Sequence, residues 1–181
     1  MITVSRDSIE KRKEVLSKDI NVVNIISAEQ MMDSVKKILP VDIAICAAAV
    51  SDFKPDLISK NKLKTEYDNL NSIKMKKNQD ILEYLGKNNK SRPKIVVGFS
   101  AETKNLIKNS MVKLKNKHCD FIVANDISKK DIGFNVDYNK VTIIDKKGIS
   151  ETIAKNKKSF IATLLAKKIL KEFLVDDKNI N

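Results

Sequence analysis

Short runs of apolar residues alternate along this chain with segments whose apolar positions recur every three or four residues. The first pattern is typical of buried strands and the second of amphipathic helices. The predicted strands cover residues 21–26, 42–47, 72–76, 94–99 and 120–124, followed by a hairpin of 140–145 and 149–153. The predicted helices cover residues 28–39, 80–87, 102–117 and 159–174. A capping box, in which Gln30 reaches back toward Ser27, is predicted to start the first helix.

The order of these elements indicates the fold class. Strands that alternate with helices and are continuously apolar favour a mainly parallel sheet covered on both faces. We therefore expect a three-layer α/β fold with a Rossmann-like, mainly parallel sheet, helices on both faces and a C-terminal β-hairpin. The length of 181 residues predicts a single domain.

Small and polar residues follow three of the predicted strands, in "CAAAVSD" (46–52), "GFSAET" (98–103) and "ANDIS" (124–128). In open α/β sheets, ligands bind beyond the carboxyl ends of the strands. These three segments are therefore the predicted functional edge of the sheet.

The composition is that of a globular protein, with 42% hydrophobic and 32% charged residues. No apolar run approaches the roughly 20 residues of a membrane span, and the N-terminal residues do not resemble a signal peptide. The two cysteines, Cys46 and Cys119, form neither a disulfide framework nor a zinc pattern. These features predict a soluble, cytoplasmic protein.

The formal net charge of +12 has three explanations: a nucleic-acid partner, a small polyphosphate ligand, or a general bias toward lysine. Only three of the basic residues are arginine, which sequence-reading nucleic-acid proteins favour. Aromatic residues, which could stack on bases, make up only 5% of the chain. A nucleic-acid partner is therefore the least favoured of the three explanations.

Several kinds of chemistry have no basis in the sequence. The four glycines form no GxG pair and no P-loop, so a dinucleotide held by a glycine-rich fingerprint is not expected. The single histidine, His118, has no neighbours that complete a nucleophilic triad, and a structural role is favoured for it. Lysines, carboxylates, amides and backbone N–H groups remain, and these can hold a nucleoside triphosphate.

The individual residues also allow simpler interpretations. The segment "KNKLK" (60–64) could be a solvated loop. Lys113 and Lys117 share one helix face near its C-terminus, where they could complement the helix dipole. In "NQDI" (78–81), Asn78 or Asp80 could simply cap a helix.

A series of motifs in fixed order resembles phosphopantothenoylcysteine synthetase, the phosphopantothenate–cysteine ligase that often forms the second half of a bifunctional coenzyme A biosynthesis protein. The resemblance covers roughly residues 40–174. The motifs are "AAVSDFKP", "KLK", "KMKKNQDIL", "RPKIVVGFSAET", "KLKNKHCDFIVANDIS" and "GFNVDYNKVTIID".

This resemblance implies a reaction and its partners. Enzymes of the family use CTP to activate the carboxylate of 4′-phosphopantothenate as an acyl cytidylate, which cysteine then attacks. The resemblance also implies a Mg²⁺ requirement and a homodimer. The alternative is a non-catalytic basic binding module, or one subunit of a split ligase.

The resemblance also assigns residues. It implies that Lys62, the first lysine of "KLK", acts in acyl cytidylate formation and contacts CTP. The other implied CTP contacts are Cys46, Ala47, Ala48, Asp52, Asn78, Gln79, Asp80, Ile81, Phe99, Lys113 and Lys117. The resemblance leaves the metal ligands unassigned.

The chain departs from the family pattern in three places. Thr65 follows Lys62, Leu63 and Lys64 where a further lysine is usual, and Gln79 replaces a usual proline. The family's first Gly-rich strand–turn–helix, which carries an asparagine of the cysteine step, has no counterpart in this sequence, and neither has the flavin-dependent decarboxylase half. The resemblance therefore implies an N-terminally short ligase domain. Either a separate decarboxylase or N-terminal chain supplies the missing part, or the chain is a fragment with reduced or incomplete turnover.

Overall fold

The chain divides into two compact units in a computed structural model that describes residues 2–5, 20–57, 59, 61, 72–87, 90–128 and 136–178. The first unit comprises Met1–Lys37 and Ala49–Asp80, and the second comprises Ile38–Ala48 and Ile81–Asn181. The expectation of a single ligase domain stays a prediction, because compact units do not show how many domains fold separately.

The described strands are β1 (Ile2–Ser5), β2 (Val22–Ile25), β3 (Ile43–Cys46), β4 (Phe53–Pro55), β5 (Met75–Lys77), β6 (Ile95–Glu102), β7 (Phe121–Asp126), β8 (Tyr138–Asp145) and β9 (Ser150–Lys157). The described helices are α1 (Ala28–Ile38), α2 (Ile81–Lys87), α3 (Leu106–Asn116) and α4 (Lys158–Lys178).

The second unit contains a five-stranded sheet in the order β3-β6-β7-β8-β9. Strands β3, β6 and β7 are parallel, whereas β8 and β9 form an antiparallel hairpin beside β7. The α/β class, the parallel strands and the C-terminal hairpin predicted from the sequence are therefore confirmed.

The two faces of this sheet are covered by different helices. Alternate residues of the strands point to opposite faces, so Ile95 and Val97 lie on one face and Val96 and Gly98 on the other. The first face packs against α4 and forms the main core with it. The buried residues of this core are Ile95, Val97, Phe121, Val123, Val141, Ile143 and Ile153 of the sheet and Ile161, Leu165 and Ile169 of α4. On the second face, a Cβ added at Gly98 would lie 2.6 Å from Leu82 Cδ2 of α2. Gly98 is therefore required for close packing of this helix on the sheet.

The turn between β8 and β9 is built around Asp145. Its Oδ1 accepts hydrogen bonds from the backbone N–H groups of Lys147 and Ile149, each at 2.9 Å. Gly148 adopts a φ of +83°, which glycine reaches without steric cost. The predicted hairpin therefore turns through "KKG" (146–148), whose glycine supplies the left-handed residue that the turn needs.

A partly buried ion pair joins the amino ends of β6 and β7. The Nη2 of Arg92 lies 2.8 Å from Oδ2 of Asp120, which also accepts the backbone N–H of Val96 at 2.8 Å. Arg92 Nη2 also donates to the carbonyl of His118, whose backbone has a φ of 53°. This arrangement supports the structural role predicted for His118, since its carbonyl helps to hold the end of the sheet opposite the predicted functional edge.

The first unit contains two small sheets and helix α1. Strands β1 and β2 pair in parallel, and β4 and β5 pair antiparallel. The N–H of Gln30 bonds Ser27 Oγ at 3.2 Å, as the capping box predicts. The Gln30 side chain, however, accepts a hydrogen bond from the N–H of Ile26 at 2.8 Å, whereas a capping box would use the N–H of Ser27.

Two predicted elements begin several residues late, and one strand has no counterpart in the prediction. The strand predicted at residues 72–76 forms at Met75–Lys77, and its partner β4 lies in residues for which the sequence predicts no strand. The helix predicted to begin at residue 102 begins at Leu106, because β6 extends to Glu102 and Asn105 takes a left-handed φ of 52°.

Candidate functional site

The first group of predicted site residues lies where β3 ends. Cys46 is the last residue of β3 and is half-buried, and Ala47 and Ala48 follow it with exposed side chains. Short side chains on an exposed strand end leave the backbone open to close approach by a ligand. This geometry agrees with the predicted contact through backbone atoms.

Strand β6 continues beyond the end of β3 and leaves backbone groups without a neighbouring strand. The last paired residues are Cys46 and Gly98. Ile95 directs its N–H toward the β3 side, where it bonds the carbonyl of Asp42 at 3.1 Å. The backbone N–H and C=O groups of successive residues point to alternate sides of a strand, so the carbonyl of Phe99 points to the β3 side, as the N–H of Ile95 does. Phe99 lies one residue past the last pair between β3 and β6. A buried carbonyl in that position requires another donor.

Lys113 of α3 supplies that donor. Its Nζ lies 2.7 Å from the carbonyl oxygen of Phe99 in a partly buried contact. The ammonium group is thereby held beside β6, just past the carboxyl end of β3. An ammonium has three donors, so one bond to a carbonyl leaves two for a ligand. The helix-dipole interpretation alone does not account for this specific contact.

The side chain of Phe99 takes a different place from the one its predicted role suggests. It is half-buried and packs against the core that α4 forms with the sheet. The ring therefore contributes to the core, and only its exposed part is available to a nucleotide.

Lys117 is held by a carboxylate on α2. Its Nζ lies 2.8 Å from Oε2 of Glu83, while Nζ of Lys87 lies 2.6 Å from Oε1 of the same carboxylate. The hydrogen bond from Lys117, assisted by that from Lys87, lowers the pKa of Glu83 from 4.5 to about 2. Glu83 is therefore ionised at neutral pH and carries one ammonium on each oxygen.

Ile81 begins α2 and is buried, with 8% of its surface exposed. Its side chain belongs to the apolar interior of the second unit. A ligand could therefore meet Ile81 only through its backbone. The sequence alone did not distinguish a side-chain contact from a backbone contact at this position.

The first unit brings Asp52 and Asn78 together. The N–H of Asn78 donates to the carbonyl of Asp52 at 2.8 Å, and its Nδ2 donates to the carbonyl of Ser51 at 2.8 Å. The side-chain nitrogen of Asn78 thus fixes the segment before β4, which explains this residue better than helix capping does. The carboxylate of Asp52 remains exposed.

Gln79 and Asp80 follow in the same loop. Oε1 of Gln79 accepts a hydrogen bond from Nζ of Lys36 at 3.3 Å, and Asp80 is half-buried. An exposed ammonium therefore lies beside the loop that was predicted to face the triphosphate. Lys62, predicted to be catalytic, lies outside the described residues together with most of "KNKLK".

A polar network that the sequence analysis did not assign lies at the carboxyl end of β6. Oε1 of Glu102 accepts from Oγ of Ser100 at 3.0 Å, and its Oε2 accepts from Nδ2 of Asn109 at 3.1 Å. Asn109 precedes Lys113 by one helical turn, so this contact anchors the same face of α3. The motif "GFSAET" contains Ser100 and Glu102, but the sequence does not indicate that Asn109 of α3 binds them.

Asn125 of β7 is a further residue that the sequence analysis left without a role. Its Oδ1 is buried and has no hydrogen-bond partner among the described residues. Buried acceptors of this kind are uncommon, and a ligand or water usually explains them. The residue lies within "ANDIS", which the sequence analysis selected only as a strand end.

The described part of the chain contains neither a cluster of metal-ligating side chains nor a helix suited to a membrane. No group of three or more His, Cys, Asp or Glu side chains there could hold a metal ion. None of the helices in the same ranges combines the length and the apolar character that crossing a membrane requires.

Comparison with known proteins places this arrangement in a family. The family model of the DNA/pantothenate metabolism flavoprotein C-terminal domain (DFP) matches residues 9–173. The coenzyme A biosynthesis bifunctional protein CoaBC of Borreliella burgdorferi is 42% identical over 154 residues, which are 82% of this chain and 37% of that protein. A cysteine/cysteine sulfinic acid decarboxylase from an unknown prokaryote is 38% identical over 155 residues, 85% of this chain and 43% of that protein.

A solved structure agrees with these matches. The crystal structure of the C-terminal domain of a CoaBC protein superimposes with a TM-score of 0.68 at 28% identity, covering 90% of this chain and 71% of that one. The chain spans about two-fifths of the length of the two curated relatives. The resemblance to the phosphopantothenoylcysteine synthetase half of CoaBC is confirmed, and the chain belongs to the DNA/pantothenate metabolism flavoprotein C-terminal domain family.

Proposed function

We propose that this chain acts in coenzyme A biosynthesis as the CTP-dependent part of a phosphopantothenate–cysteine ligase. The observation that carries the proposal is a lysine just past the carboxyl end of β3: Lys113 is fixed 2.7 Å from the carbonyl of Phe99 on β6, one residue beyond the last β3–β6 pair. A positive group at this edge of a parallel sheet is suited to an anionic ligand. Family membership supports the choice of nucleotide.

The proposed reaction has two steps. A carboxylate oxygen of 4′-phosphopantothenate attacks the α-phosphorus of CTP, the bond to the leaving phosphate breaks, and an acyl cytidylate and pyrophosphate form. The amino nitrogen of cysteine then attacks the acyl carbon, CMP leaves, and the new amide nitrogen loses its proton. Lys62 is proposed to act in the first step. Such chemistry depends mainly on positioning and on neutralising phosphate charge.

The residues of each unit would contribute differently to nucleotide binding. In the second unit, we propose backbone contacts from Cys46 to Ala48 and cationic contacts from Lys113 and Lys117. The exposed strand end and the two anchored ammonium groups support this assignment. In the first unit, the family resemblance implies nucleotide contacts from Asp52 and the loop Asn78–Asp80.

Mg²⁺ is proposed to accompany CTP and to neutralise its phosphate charge. This ion binds through substrate phosphates, water and one or two carboxylates, rather than through a cage of protein ligands. Asp52 and Asp80 are the carboxylates that the predicted site offers to a magnesium ion carried by the nucleotide.

We also propose that the chain forms a homodimer. Phe53 and Met75, on the paired strands β4 and β5, are 54% and 49% exposed, and each lies on the face shared by Pro55 and Lys77. An isolated two-stranded sheet is only marginally stable and gains from being covered. Analytical ultracentrifugation should give a sedimenting mass of two chains, and a monomer at all concentrations would refute this part of the proposal.

The proposed reaction is tested by incubating the chain with CTP, Mg²⁺ and 4′-phosphopantothenate, with and without cysteine, and measuring pyrophosphate and ligated product separately. Pyrophosphate release that requires phosphopantothenate is expected, and Lys62→Gln should abolish it without changing the fold. Pyrophosphate without ligated product would indicate that the cysteine step needs a further chain. CTP binding with no phosphopantothenate-dependent pyrophosphate would contradict the proposal.

A further inference from the structure

Glu83 occupies a specific place between two helices of the second unit. It lies in the first turn of α2, and both of its carboxylate oxygens bind ammonium groups: Lys87 from the same helix and Lys117 from the end of α3. The side chains of Lys117 and Glu83 are 22% and 36% exposed, so the contact is partly shielded from water. The pair therefore joins the far end of α3 to the beginning of α2.

The backbone of Lys117 is fixed at the same junction. A Cβ added at Gly86 would lie 1.9 Å from the carbonyl oxygen of Lys117, which shows that α2 and the end of α3 are in direct contact. The Lys117 side chain reaches Oε2 of Glu83, three residues before Gly86, at 2.8 Å. Its ammonium is therefore held at the first turn of α2, which begins at Ile81.

We propose that Glu83 is a positioning residue for nucleotide binding, which holds the Lys117 ammonium at the first turn of α2 in the place where it contacts a phosphate of CTP. This inference rests on the proposed function. The contact with Glu83 fixes the Lys117 ammonium, which is a three-donor group suited to phosphate oxygens. A lysine ordered before binding loses less conformational freedom when the ligand arrives.

The negative charge of Glu83 would by itself repel a triphosphate. Lys87 offsets this effect, because two lysines and one glutamate leave a net charge of +1 on the three side chains. Positioning and repulsion therefore make opposite predictions. Positioning predicts weaker CTP binding when Glu83 is removed, whereas repulsion predicts tighter binding.

The experiment compares Glu83→Ala, Glu83→Gln, Lys117→Ala and the double variant by calorimetric titration with CTP and Mg²⁺. Glu83→Ala should weaken CTP binding by about fivefold or more, the effect of releasing one ordered side chain. Glu83→Gln, which retains an oxygen acceptor for Lys117, should restore most of the affinity. The double variant should bind no more weakly than Lys117→Ala, because Glu83 acts through Lys117.

Titration with cytidine separates positioning from a general effect on the fold. Cytidine lacks phosphates, so its affinity should be the same for the wild type and Glu83→Ala. Wild-type binding of CTP with equal or tighter binding by Glu83→Ala would overturn the inference and leave the proposed function intact. Absence of CTP binding by the wild type would overturn the proposed function, and the inference with it.

Discussion

Lys113 of α3 donates a 2.7 Å hydrogen bond to the carbonyl oxygen of Phe99, one residue beyond the last pair between β3 and β6. The bond satisfies a backbone acceptor that the shorter strand β3 leaves without a partner. It also holds a cation at the carboxyl edge of the parallel strands. One contact thus contributes to both the stability of the strand end and the charge of the proposed site.

Replacement of Lys113 should separate these two contributions. Lys113→Met should weaken CTP binding at least about tenfold, since a charge-assisted contact to phosphate is lost. It should also lower the free energy of unfolding by about 1–3 kcal/mol, because the Phe99 carbonyl loses its donor. Calorimetric titration and urea unfolding measure the two effects.

Lys115→Met is the matched control for this prediction. Lys115 lies on the same helix and is exposed, so its replacement removes the same charge without the carbonyl contact. Its effect on CTP binding should be less than about threefold, as for a screened surface charge. Equal losses in both variants would mean that net charge, and not the position of Lys113, determines affinity.

The Glu83 carboxylate should make stability depend on pH in the acid range. Its pKa is lowered in the folded chain to about 2 from 4.5, so the unfolded state binds a proton first as pH falls. The stabilisation is therefore complete above pH 4.5 and is lost as pH approaches 2. The urea midpoint of the wild type should exceed that of Glu83→Gln above pH 4.5. The two midpoints should converge as the pH falls through this window, from 4.5 to about 2. A difference that is constant across the window would contradict the assignment.

The contact between Gly86 and the end of α3 leaves no space for a side chain. Gly86→Ala would place Cβ 1.9 Å from the backbone oxygen of Lys117, and only movement of a whole helix relieves this overlap. We expect a loss of about 3 kcal/mol or more in the free energy of unfolding. Gly148→Ala is a useful reference, because its Cβ would lie 3.6 Å from Met111, an ordinary contact distance. It should lower the free energy of unfolding by only about 1–2 kcal/mol, the cost of placing alanine at a left-handed φ. Equal stability of the two variants would contradict the close contact.

The two cysteines should differ in reactivity. Cys119 is buried, and burial raises the pKa of its thiol to about 12, so little thiolate forms near neutral pH. Cys46 is half-buried at the end of β3 and should react first with iodoacetamide. CTP should slow this reaction if it covers the strand end as proposed. Mass spectrometry of the native protein identifies the modified residue, and equal rates with and without CTP would argue against a nucleotide at Cys46.

The features that the sequence predicted well depend on short-range patterns. The continuous apolar runs at Ile95–Val97 and Phe121–Val123 identified β6 and β7 because both faces of these strands are covered. The hairpin was predicted for a similar reason, since the turn residues lie beside each other in the sequence. The N–H of Gln30 bonds Ser27 as the local motif requires.

The features that were missed depend on long-range contacts. Strand β4 has only three residues and includes Pro55, so its pairing with β5 decides its conformation. Helix α3 begins late because Asn105 adopts a left-handed conformation that a helical pattern does not reveal. The pairing of Lys117 with Glu83 joins residues 34 positions apart. The sequence therefore identified the candidate residues, but not the contacts that hold them.

Calorimetric titration of the wild-type chain with CTP in the presence of Mg²⁺ tests the central claim most directly, with ATP titrated under identical conditions. The account predicts saturable binding of one CTP per chain, with ATP bound more weakly. A titration that shows no saturable heat for CTP, on protein whose fold is verified by circular dichroism, would contradict it.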